Sequence, residues 1–258
     1  MTDTQFSIDG STAIVTGSSS GIGKAIAERF AADGLDVVIC SREQDNVDAV
    51  AESITESDRP GSALAVECDV TDRDAVEALV ETTVEEFGGL DVLVNNAGAS
   101  FMANFDGISP NGWATIVDIN LTGTYHCTQA AGEYLKDGGG SIINLSSEAG
   151  QDGAPYMSHY AAAKAAVINL TTTLGHEWAS DDVRVNCIAP GYVATPGVES
   201  QMGVTADEID RDTVDRTIGL SEEIADIAQF LASPAASYIV GETIRAAGAP
   251  DLMKSPNQ

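Results

Sequence analysis

The sequence predicts a single α/β domain: a doubly wound, Rossmann-like parallel sheet of about seven strands with helices on both faces. Strand-like and helix-like patterns alternate along the 258 residues, which is typical of βαβ units. The chain contains no linker rich in Pro, Gly or Ser, no internal repeat and no low-complexity run. The first predicted strand also leads directly into a glycine-rich turn and a helix. We therefore expect one domain over residues 1–258.

The first predicted strand, Thr12–Val15, is small and β-branched, and the turn Thr-Gly-Ser-Ser-Ser-Gly-Ile-Gly follows it at residues 16–23. Residues 24–30 then carry the apolar stripe of a helix. Glycines in such a turn let the backbone approach a pyrophosphate, and a helix amino terminus offers unpaired N–H groups to an anion. A tight turn without a ligand is the alternative, but the strand–turn–helix context favours a dinucleotide site. The candidate residues are Gly17, Ser19, Ser20, Gly21, Ile22 and Gly23.

The second predicted strand, Asp36–Ser41, ends on a hydroxyl, and Arg42 follows it. In dinucleotide folds the residue at this strand end meets the adenosine ribose, and an acid there selects the free 2′-hydroxyl of NAD. This chain has no acid at that position, whereas a hydroxyl and a guanidinium suit a 2′-phosphate. A solvent-exposed arginine without a ligand is the alternative. Ser41 and Arg42 therefore predict NADP(H) in preference to NAD(H).

Four more strands are predicted at residues 63–68, 90–94, 140–145 and 184–188. Between the first two of these, an acidic helical segment at 72–86 carries an apolar face that we expect in the core. That face consists of Val76, Leu79, Val80, Val84 and Phe87. The sixth strand is followed by Pro190-Gly191, at the sheet edge where ligands bind in open α/β folds.

Tyr160 and Lys164 lie four residues apart, and Ser147 precedes the tyrosine by 13. On a helix, residues i and i+4 share one face, so the phenol and the ammonium can meet in one pocket. A phenol with a pKa near ~10 is a poor acid–base catalyst at neutral pH, and an adjacent cation favours its ionised form. Ser147 can hold a substrate oxygen beside the tyrosine. The spacing predicts a proton-transfer site.

These motifs together resemble the short-chain dehydrogenase/reductase superfamily, in the order and spacing of its main subgroup. The resemblance runs from about Phe6 to Gly248 and implies hydride transfer between NADP(H) and a carbonyl or secondary alcohol. It rests on Thr16-Gly17-x-x-x-Gly21-x-Gly23, Asn95-Asn96-Ala97-Gly98, Ser147, Tyr160-x-x-x-Lys164 and Pro190-Gly191.

The resemblance also implies roles for the catalytic residues. Tyr160 is the acid in reduction and the base in oxidation. Lys164 lowers the pKa of Tyr160 and holds the nicotinamide ribose. Ser147, rather than the neighbouring Ser146, polarises the carbonyl. Asn120, expected within a helix, holds a water through its backbone carbonyl and completes a proton path from Lys164 to solvent.

Further cofactor contacts are implied by the same resemblance. Asp69 and Val70 meet the adenine, although Asp69 also fits the approach to a helix cap. The remaining implied contacts are Asn96, Ala97 and Gly98 on the ribose side, and Pro190, Gly191, Val193 and Thr195 at the nicotinamide. Two positions depart from the pattern: Ser20 stands where many NADP-dependent relatives have a basic residue, and Ala246-Ala247-Gly248 replaces Asp-Gly-Gly.

The charge balance is extreme, with 12 basic and 40 acidic residues and a formal net charge of −28. Nucleic acid is excluded as an expected partner, because phosphate binding needs clustered Lys and Arg. The acids are spread along helical segments rather than gathered in a disordered tail. At ~1 M salt the Debye length falls to ~3 Å and such repulsion is screened. The composition therefore resembles that of proteins from extremely halophilic archaea.

The remaining composition indicates a cytoplasmic enzyme without a metal. No apolar run approaches the ~20 residues of a membrane helix, and the polar start of the chain does not resemble a signal peptide. We expect no membrane partner. The four cysteines lack C-x-x-C spacing and are expected to be reduced core residues. The three histidines lack ligand spacing, so no catalytic metal is expected.

Several functions stay open at this point. A nucleotide sensor with the same fold would not need Ser147, Tyr160 and Lys164. Within the enzyme class, a 3-oxoacyl-thioester reductase and a sugar or polyol dehydrogenase compete with a broader ketone reductase. The substrate side is expected at about residues 150–160 and 192–215, and the resemblance implies a homo-oligomer, a tetramer or a dimer.

Overall fold

A computed structural model of the protein describes residues 4–8 and 10–249. Its main sheet has seven parallel strands in the order β3-β2-β1-β4-β5-β6-β9. A separate two-stranded sheet pairs β7 with β8. The strands are β1 (Thr12–Thr16), β2 (Asp36–Ser41), β3 (Ala63–Glu67), β4 (Val92–Asn95), β5 (Gly140–Leu145), β6 (Val183–Pro190), β7 (Tyr192–Ala194), β8 (Ile218–Leu220) and β9 (Thr243–Ala246). The predicted fold class is confirmed.

Nine α-helices connect or follow these strands within the described residues. They are α1 (Gly21–Asp33), α2 (Gln44–Thr55), α3 (Arg73–Phe87), α4 (Pro110–Val117), α5 (Gly123–Gly138), α6 (Glu148–Asp152), α7 (Ser158–Trp178), α8 (Pro196–Met202) and α9 (Ser221–Ala232). A π-helical turn, Asp118–Thr122, joins α4 to α5.

Two hydrophobic clusters lie on opposite faces of the main sheet. Alternation along β2 separates them, since Val37 and Ile39 belong to one cluster and Val38 and Cys40 to the other. The first cluster includes residues of α1, α2 and α9, and the second includes residues of α3 and α5. Helices therefore cover both faces, as predicted.

The strand order reverses between β1 and β4, which lie side by side in the sheet. From β1 the chain adds β2 and β3 on one side, and from β4 it adds β5, β6 and β9 on the other. A crevice opens at such a reversal, outside the carboxyl ends of the strands. Most of the sequence motifs directly follow a strand. Because the carboxyl ends of parallel strands lie at one edge of the sheet, these motifs meet at this crevice.

Some boundaries differ from the sequence prediction. β4 starts two residues later than expected and includes Asn95, while β6 extends from Val183 to Pro190. On α3, Val76, Leu79 and Val80 are buried as expected, whereas Val84 and Phe87 are half-buried. The small β7–β8 sheet was not predicted. The two ends of the expected domain, residues 1–3 and 250–258, lie outside the described residues, as does residue 9.

All four cysteines are free and buried, as expected. No helix among the described residues is long and apolar enough to cross a membrane. Within the same residues, no group of three or more His, Cys, Asp or Glu side chains could hold a metal ion.

Candidate active site

A cavity of about 510 Å³ lies at the carboxyl ends of the central strands, within the size range of cofactor sites. Its wall contains every predicted site residue except Gly23, Asn120 and Val193. Most of the wall residues that the prediction missed directly precede or follow a predicted residue in the sequence. Their position next to predicted residues could therefore have identified them. They are Cys68, Ala99, Ser100, Ile119, Leu145, Ser146, Pro196 and Gly197.

The glycine turn between β1 and α1 forms one end of the cavity. Gly17 and Gly21 adopt positive φ angles of 63° and 55°, a conformation that favours glycine. A Cβ atom at Gly23 would lie 2.5 Å from the Gly17 carbonyl oxygen, so Gly23 allows close packing behind the wall. Ser20, the N-cap of α1, makes no side-chain hydrogen bond to the helix. The first N–H groups of α1 therefore have no side-chain cap, which fits a phosphate site.

Neutral hydrogen bonds tie this turn to the end of β4. The Thr16 hydroxyl accepts from the backbone N–H groups of Asn96 and Ala97, both at 3.0 Å. The Asn96 side-chain amide donates to the carbonyl oxygens of Thr16 at 2.8 Å and Gly17 at 3.0 Å. The motif after β4 thus holds the glycine loop in place.

The cavity wall also contains Ser41, Arg42, Asp69 and Val70, which are predicted to meet the adenosine of the cofactor. Arg42 is exposed and forms no ion pair with any other described residue. The Asp69 carboxylate accepts from the backbone N–H and the hydroxyl of Thr71, at 2.9 and 2.8 Å. Asp69 therefore shapes the approach to α3 while lining the cavity.

Ser147, Tyr160 and Lys164 meet at the other end of the cavity. Tyr160 and Lys164 lie on α7, and Ser147 caps α6 by accepting from the Ala149 N–H at 3.1 Å. Lys164 is buried, and its ammonium donates to the Leu145 carbonyl at 2.7 Å. Burial lowers the pKa of Lys164 to about 8. The neighbouring Ser146 hydroxyl donates to the Lys164 carbonyl at 2.8 Å, so it has a backbone role.

Burial dominates the surroundings of the Tyr160 phenol. Burial raises the pKa of the phenol, and a hydrogen bond with the Ser147 hydroxyl offsets part of the rise. The Lys164 ammonium lies 5.7 Å from the ring centroid of Tyr160 and donates to the Leu145 carbonyl. Burial therefore favours the neutral form of the phenol.

Asn120 lies in the π-helical turn rather than in a regular helix, which differs from the expectation. Its side-chain amide donates to the carbonyls of Ala99 at 2.7 Å and Ile116 at 2.9 Å. Its buried Oδ1 has no partner among the described residues. A Cβ at Gly98 would lie 2.9 Å from this oxygen and 3.5 Å from the Lys164 ammonium, so both groups border Gly98. Such π-turns are frequent at functional sites.

The segment after β6 forms the last wall of the cavity. Pro190, Gly191 and Thr195 line it, whereas Val193 is buried in the first hydrophobic cluster. Thr195 also caps α8, since its hydroxyl accepts from the Val198 N–H at 3.3 Å. The backbone N–H of Gly191 donates to the Ala246 carbonyl at 2.9 Å, which fixes this turn to β9.

The chain is similar to known oxidoreductases over most of its length. A family model described as enoyl-(acyl carrier protein) reductase matches residues 17–248. A 3-oxoacyl-[acyl-carrier-protein] reductase from Synechocystis sp. is 41% identical over 239 residues, covering 92% of this chain and 95% of the relative. The 3beta-hydroxysteroid dehydrogenase 1 of Eggerthella lenta is 39% identical over 245 residues, covering 92% of both chains. A crystal structure of a short-chain type dehydrogenase/reductase from Mycobacterium marinum has a TM-score of 0.86 at 34% identity, covering 95% of this chain and 96% of that one.

Proposed function

The chain belongs to the short-chain dehydrogenase/reductase superfamily, in the family whose model is described as enoyl-(acyl carrier protein) reductase, and on this premise we propose its reaction. It is an NAD(P)H-dependent oxidoreductase, and we propose that NADP(H) is the cofactor and a carbonyl or secondary alcohol the substrate. The observation that carries the proposal is the meeting of Ser147, Tyr160 and Lys164 in the wall that also contains the glycine turn.

The residues of the cavity fit a dinucleotide. The uncapped N–H groups of α1 suit its phosphates, Asp69 and Val70 its adenine, and Asn96 its ribose side. The turn that contains Gly191, together with Thr195, suits the nicotinamide. When bound, the nicotinamide supplies the hydride in reduction and accepts it in oxidation.

The chain's own residues handle the proton. Tyr160 donates its phenolic proton to the carbonyl oxygen in reduction, and burial favours the protonated phenol. The Ser147 hydroxyl holds the same oxygen. The Lys164 ammonium donates one N–H to the Leu145 carbonyl, and its other two N–H groups can bind the ribose. The Asn120 carbonyl accepts from the Thr124 hydroxyl at 3.1 Å, and its second lone pair can hold the water of a proton path.

Arg42 supports NADP(H) over NAD(H). In a chain with 12 basic and 40 acidic residues, an arginine is surrounded by possible partners, and most described cations are paired. Lys136 stacks on Trp178 with its nitrogen 4.1 Å from the ring centroid, and Arg184 donates to backbone carbonyls. Among the described residues, Arg42 has no ion pair, no aromatic ring to stack on and no backbone carbonyl as acceptor. It lies in the cavity wall where we propose that the adenosine binds. A 2′-phosphate beside Ser41 would supply its charge partner.

We further propose one domain over residues 1–258, with the substrate side formed by about 150–160 and 192–215. A nucleotide sensor remains the rival from another class, and a 3-oxoacyl-thioester reductase or a sugar or polyol dehydrogenase the rivals within the enzyme class. The relatives act, by their names, on acyl-carrier-protein thioesters and on hydroxysteroids, so family membership alone leaves the substrate open.

The charge of −28 supports a halophilic, cytoplasmic origin, and by resemblance we propose a homotetramer or a dimer. Self-repulsion on a domain of this size acts over a Debye length of about 10 Å at 0.1 M salt and about 3 Å at 1 M. The unfolding midpoint should therefore rise steeply between these concentrations. A midpoint that stays flat from 0.1 to ~2 M KCl would remove the halophile proposal and leave the oxidoreductase assignment intact.

The decisive experiment is steady-state oxidation of NADPH and NADH over a panel of carbonyl compounds in molar KCl. Turnover with a higher kcat/KM for NADPH is the expected result. Tight NADPH binding without turnover of any carbonyl would favour the sensor, and a higher kcat/KM for NADH would reject the cofactor proposal.

A further inference from the structure

The mouth of the cavity is unusually apolar for this chain. Six of the eleven exposed large apolar side chains among the described residues lie on segments next to the cavity wall, and each is between 39% and 69% exposed. They are Phe101, Met102, Phe105, Tyr156, Tyr192 and Met202. Exposed apolar side chains that cluster are a mark of binding surfaces, whereas scattered ones are ordinary.

Direct contacts connect these segments to the reacting end of the cavity. The backbone N–H of Ala103 donates to the Tyr156 carbonyl at 2.8 Å. The Phe101 ring lies edge-on to the ring of His159, with 4.3 Å between centroids, and His159 directly precedes Tyr160. Tyr192 directly follows Gly191 of the cavity wall. Phe101, Tyr156 and Tyr192 therefore lie on segments joined to the place where Tyr160 would meet a carbonyl.

Tyr156 adopts a strained backbone conformation. Its φ of 66° lies in the left-handed region, which is uncommon for an aromatic residue. Such strain persists only where the surroundings impose it, and it concentrates at functional sites. The hydrogen bond from Ala103 holds this conformation and leaves the Tyr156 ring 57% exposed.

The segments that carry five of these six residues lack charge. Residues 96–105, 153–160 and 189–198 contain no Asp, Glu, Lys or Arg, although 20% of the whole chain is charged. At that frequency, segments of this combined length would carry about six charges, so these segments differ from the rest of the chain. Arg245, on β9 near this side, is already paired with Glu148 and Asp152.

Resting on the proposed function, we propose that the substrate is a bulky, uncharged, apolar ketone or the corresponding secondary alcohol. Burying its apolar part against these side chains is favoured in proportion to the apolar area removed from water. A carboxylate or a polyol would lose hydration there without charged partners. An acidic carrier protein would meet a negatively charged protein, and the basic residue near this side, Arg245, is already paired with two acids, which disfavours a carrier-bound thioester.

The test compares 2-acetylnaphthalene, 6-acetyl-2-naphthoate, fructose and an acetoacetyl thioester with NADPH in molar KCl. The expected kcat/KM is at least tenfold higher for 2-acetylnaphthalene than for the other three. The preference should persist when KCl is doubled, because it comes from burial rather than from long-range repulsion. If the naphthoate, fructose or the thioester is the best substrate, the inference is wrong while the proposed function stands. If none of the four is reduced although NADPH binds, both are overturned.

A pair of variants then tests the surface itself. Tyr192→Ser should raise KM for 2-acetylnaphthalene about tenfold and change kcat little, and it should lower kcat/KM for 2-acetylnaphthalene at least fivefold more than kcat/KM for the small ketone butanone. Tyr238→Ser is the matched control, since Tyr238 is 100% exposed and precedes the amino end of β9, away from the cavity. Equal kinetics for the two variants, or equal losses for both ketones, would refute the apolar mouth as the determinant of specificity.

Discussion

The glycine loop of the cavity and the segment after β7, which we propose as part of the substrate side, are held in place by different forces. On the cofactor side, neutral hydrogen bonds fix the glycine loop, with Thr16 accepting two backbone N–H groups at 3.0 Å and Asn96 donating to two carbonyls. On the proposed substrate side, the segment after β7 is held by ion pairs. Arg216 pairs with Glu223 of α9, and Arg211 pairs with Asp226 of the same helix.

This difference has a consequence for how the two sides respond to salt. Partly exposed ion pairs contribute little and weaken with ionic strength, whereas neutral hydrogen bonds are hardly screened. Arg211 is 53% exposed, and its partner Asp226 is 34% exposed. We therefore predict that the salt that relieves the repulsion of a −28 chain weakens the ion pairs of the proposed substrate side more than the hydrogen bonds of the cofactor side. Variants can separate the two sides experimentally.

Tyr160→Phe should give the largest effect, because it acts where the two sides meet. The variant removes the phenolic proton and should lower kcat by ~10²–10⁴-fold, the usual range for a lost general acid. NADPH affinity should stay within about twofold, since the glycine loop and the ring are retained. Single-turnover rates and fluorescence titration with NADPH measure the two quantities. Near-normal turnover would remove Tyr160 from the mechanism.

Lys164→Met probes the cost of burying a charge at this meeting point. Folded Lys164 loses its proton near pH 8, while an unfolded lysine keeps it to about 10.5, so the unfolded state binds more protons between these values. The stability of the native protein should rise with pH across that window. The free energy of unfolding of the variant should exceed that of the native protein by the largest amount below pH 8. This difference should shrink by roughly 3 kcal/mol by pH 10.5.

Chemical denaturation of both proteins at several pH values measures this difference. A stability difference between the two proteins that does not change with pH would mean that Lys164 keeps its charge throughout the range. Because the comparison is between two proteins that share every other titratable group, the remaining carboxylates and phenols cancel.

Replacing Ser41 with Asp and Arg42 with Ser should change only the cofactor side. A carboxylate repels a 2′-phosphate and can accept a hydrogen bond from a ribose hydroxyl. Charge-assisted hydrogen bonds contribute ~1.5–3 kcal/mol, so the ratio of kcat/KM for NADPH over NADH should fall by about 10- to 100-fold. KM for the ketone should not change. A native protein that already prefers NADH would contradict the role assigned to Ser41 and Arg42.

The contrast between the two sides also explains what the sequence could predict. Strands and their following motifs are local, so Gly17, Asn96 and Tyr160 could be placed from spacing alone. The π-turn at Asn120 depends on how α4 and α5 join, and nothing in the local sequence marks it. The β7–β8 sheet pairs Tyr192 with Ile218, and three-residue strands so far apart carry no readable periodicity.

The pKa of Tyr160 could not be predicted for a related reason. Spacing places Lys164 on the same helix face, but the direction of its ammonium depends on the Leu145 carbonyl at the end of a distant strand. Burial of the phenol likewise depends on the whole fold. Side-chain identity was readable from the sequence, while side-chain direction was not.

Arg216→Gln should give the smallest effect and test the substrate side alone. Arg216 and Glu223 are only 21% and 23% exposed, and Glu223 also accepts from the Leu220 N–H at 2.9 Å, which joins the loop to α9. Arg216 lowers the pKa of Glu223 to about 2, so the pair is ionised at neutral pH. Losing it should cost on the order of 1 kcal/mol and raise KM for the ketone about fivefold.

The control for this variant is Arg73→Gln, which removes the pair between Arg73 and Glu77 within α3, on the cofactor half of the sheet. It should leave KM for the ketone unchanged, and neither variant should change the Kd of NADPH. The difference between the Arg216 variant and the native protein should also shrink as KCl increases, since salt screens the pair that the variant lacks. If Arg216→Gln weakened NADPH binding as much as it raised KM for the ketone, the two sides would be one mechanical unit. The difference between the hydrogen bonds of the cofactor side and the ion pairs of the substrate side would then not affect binding.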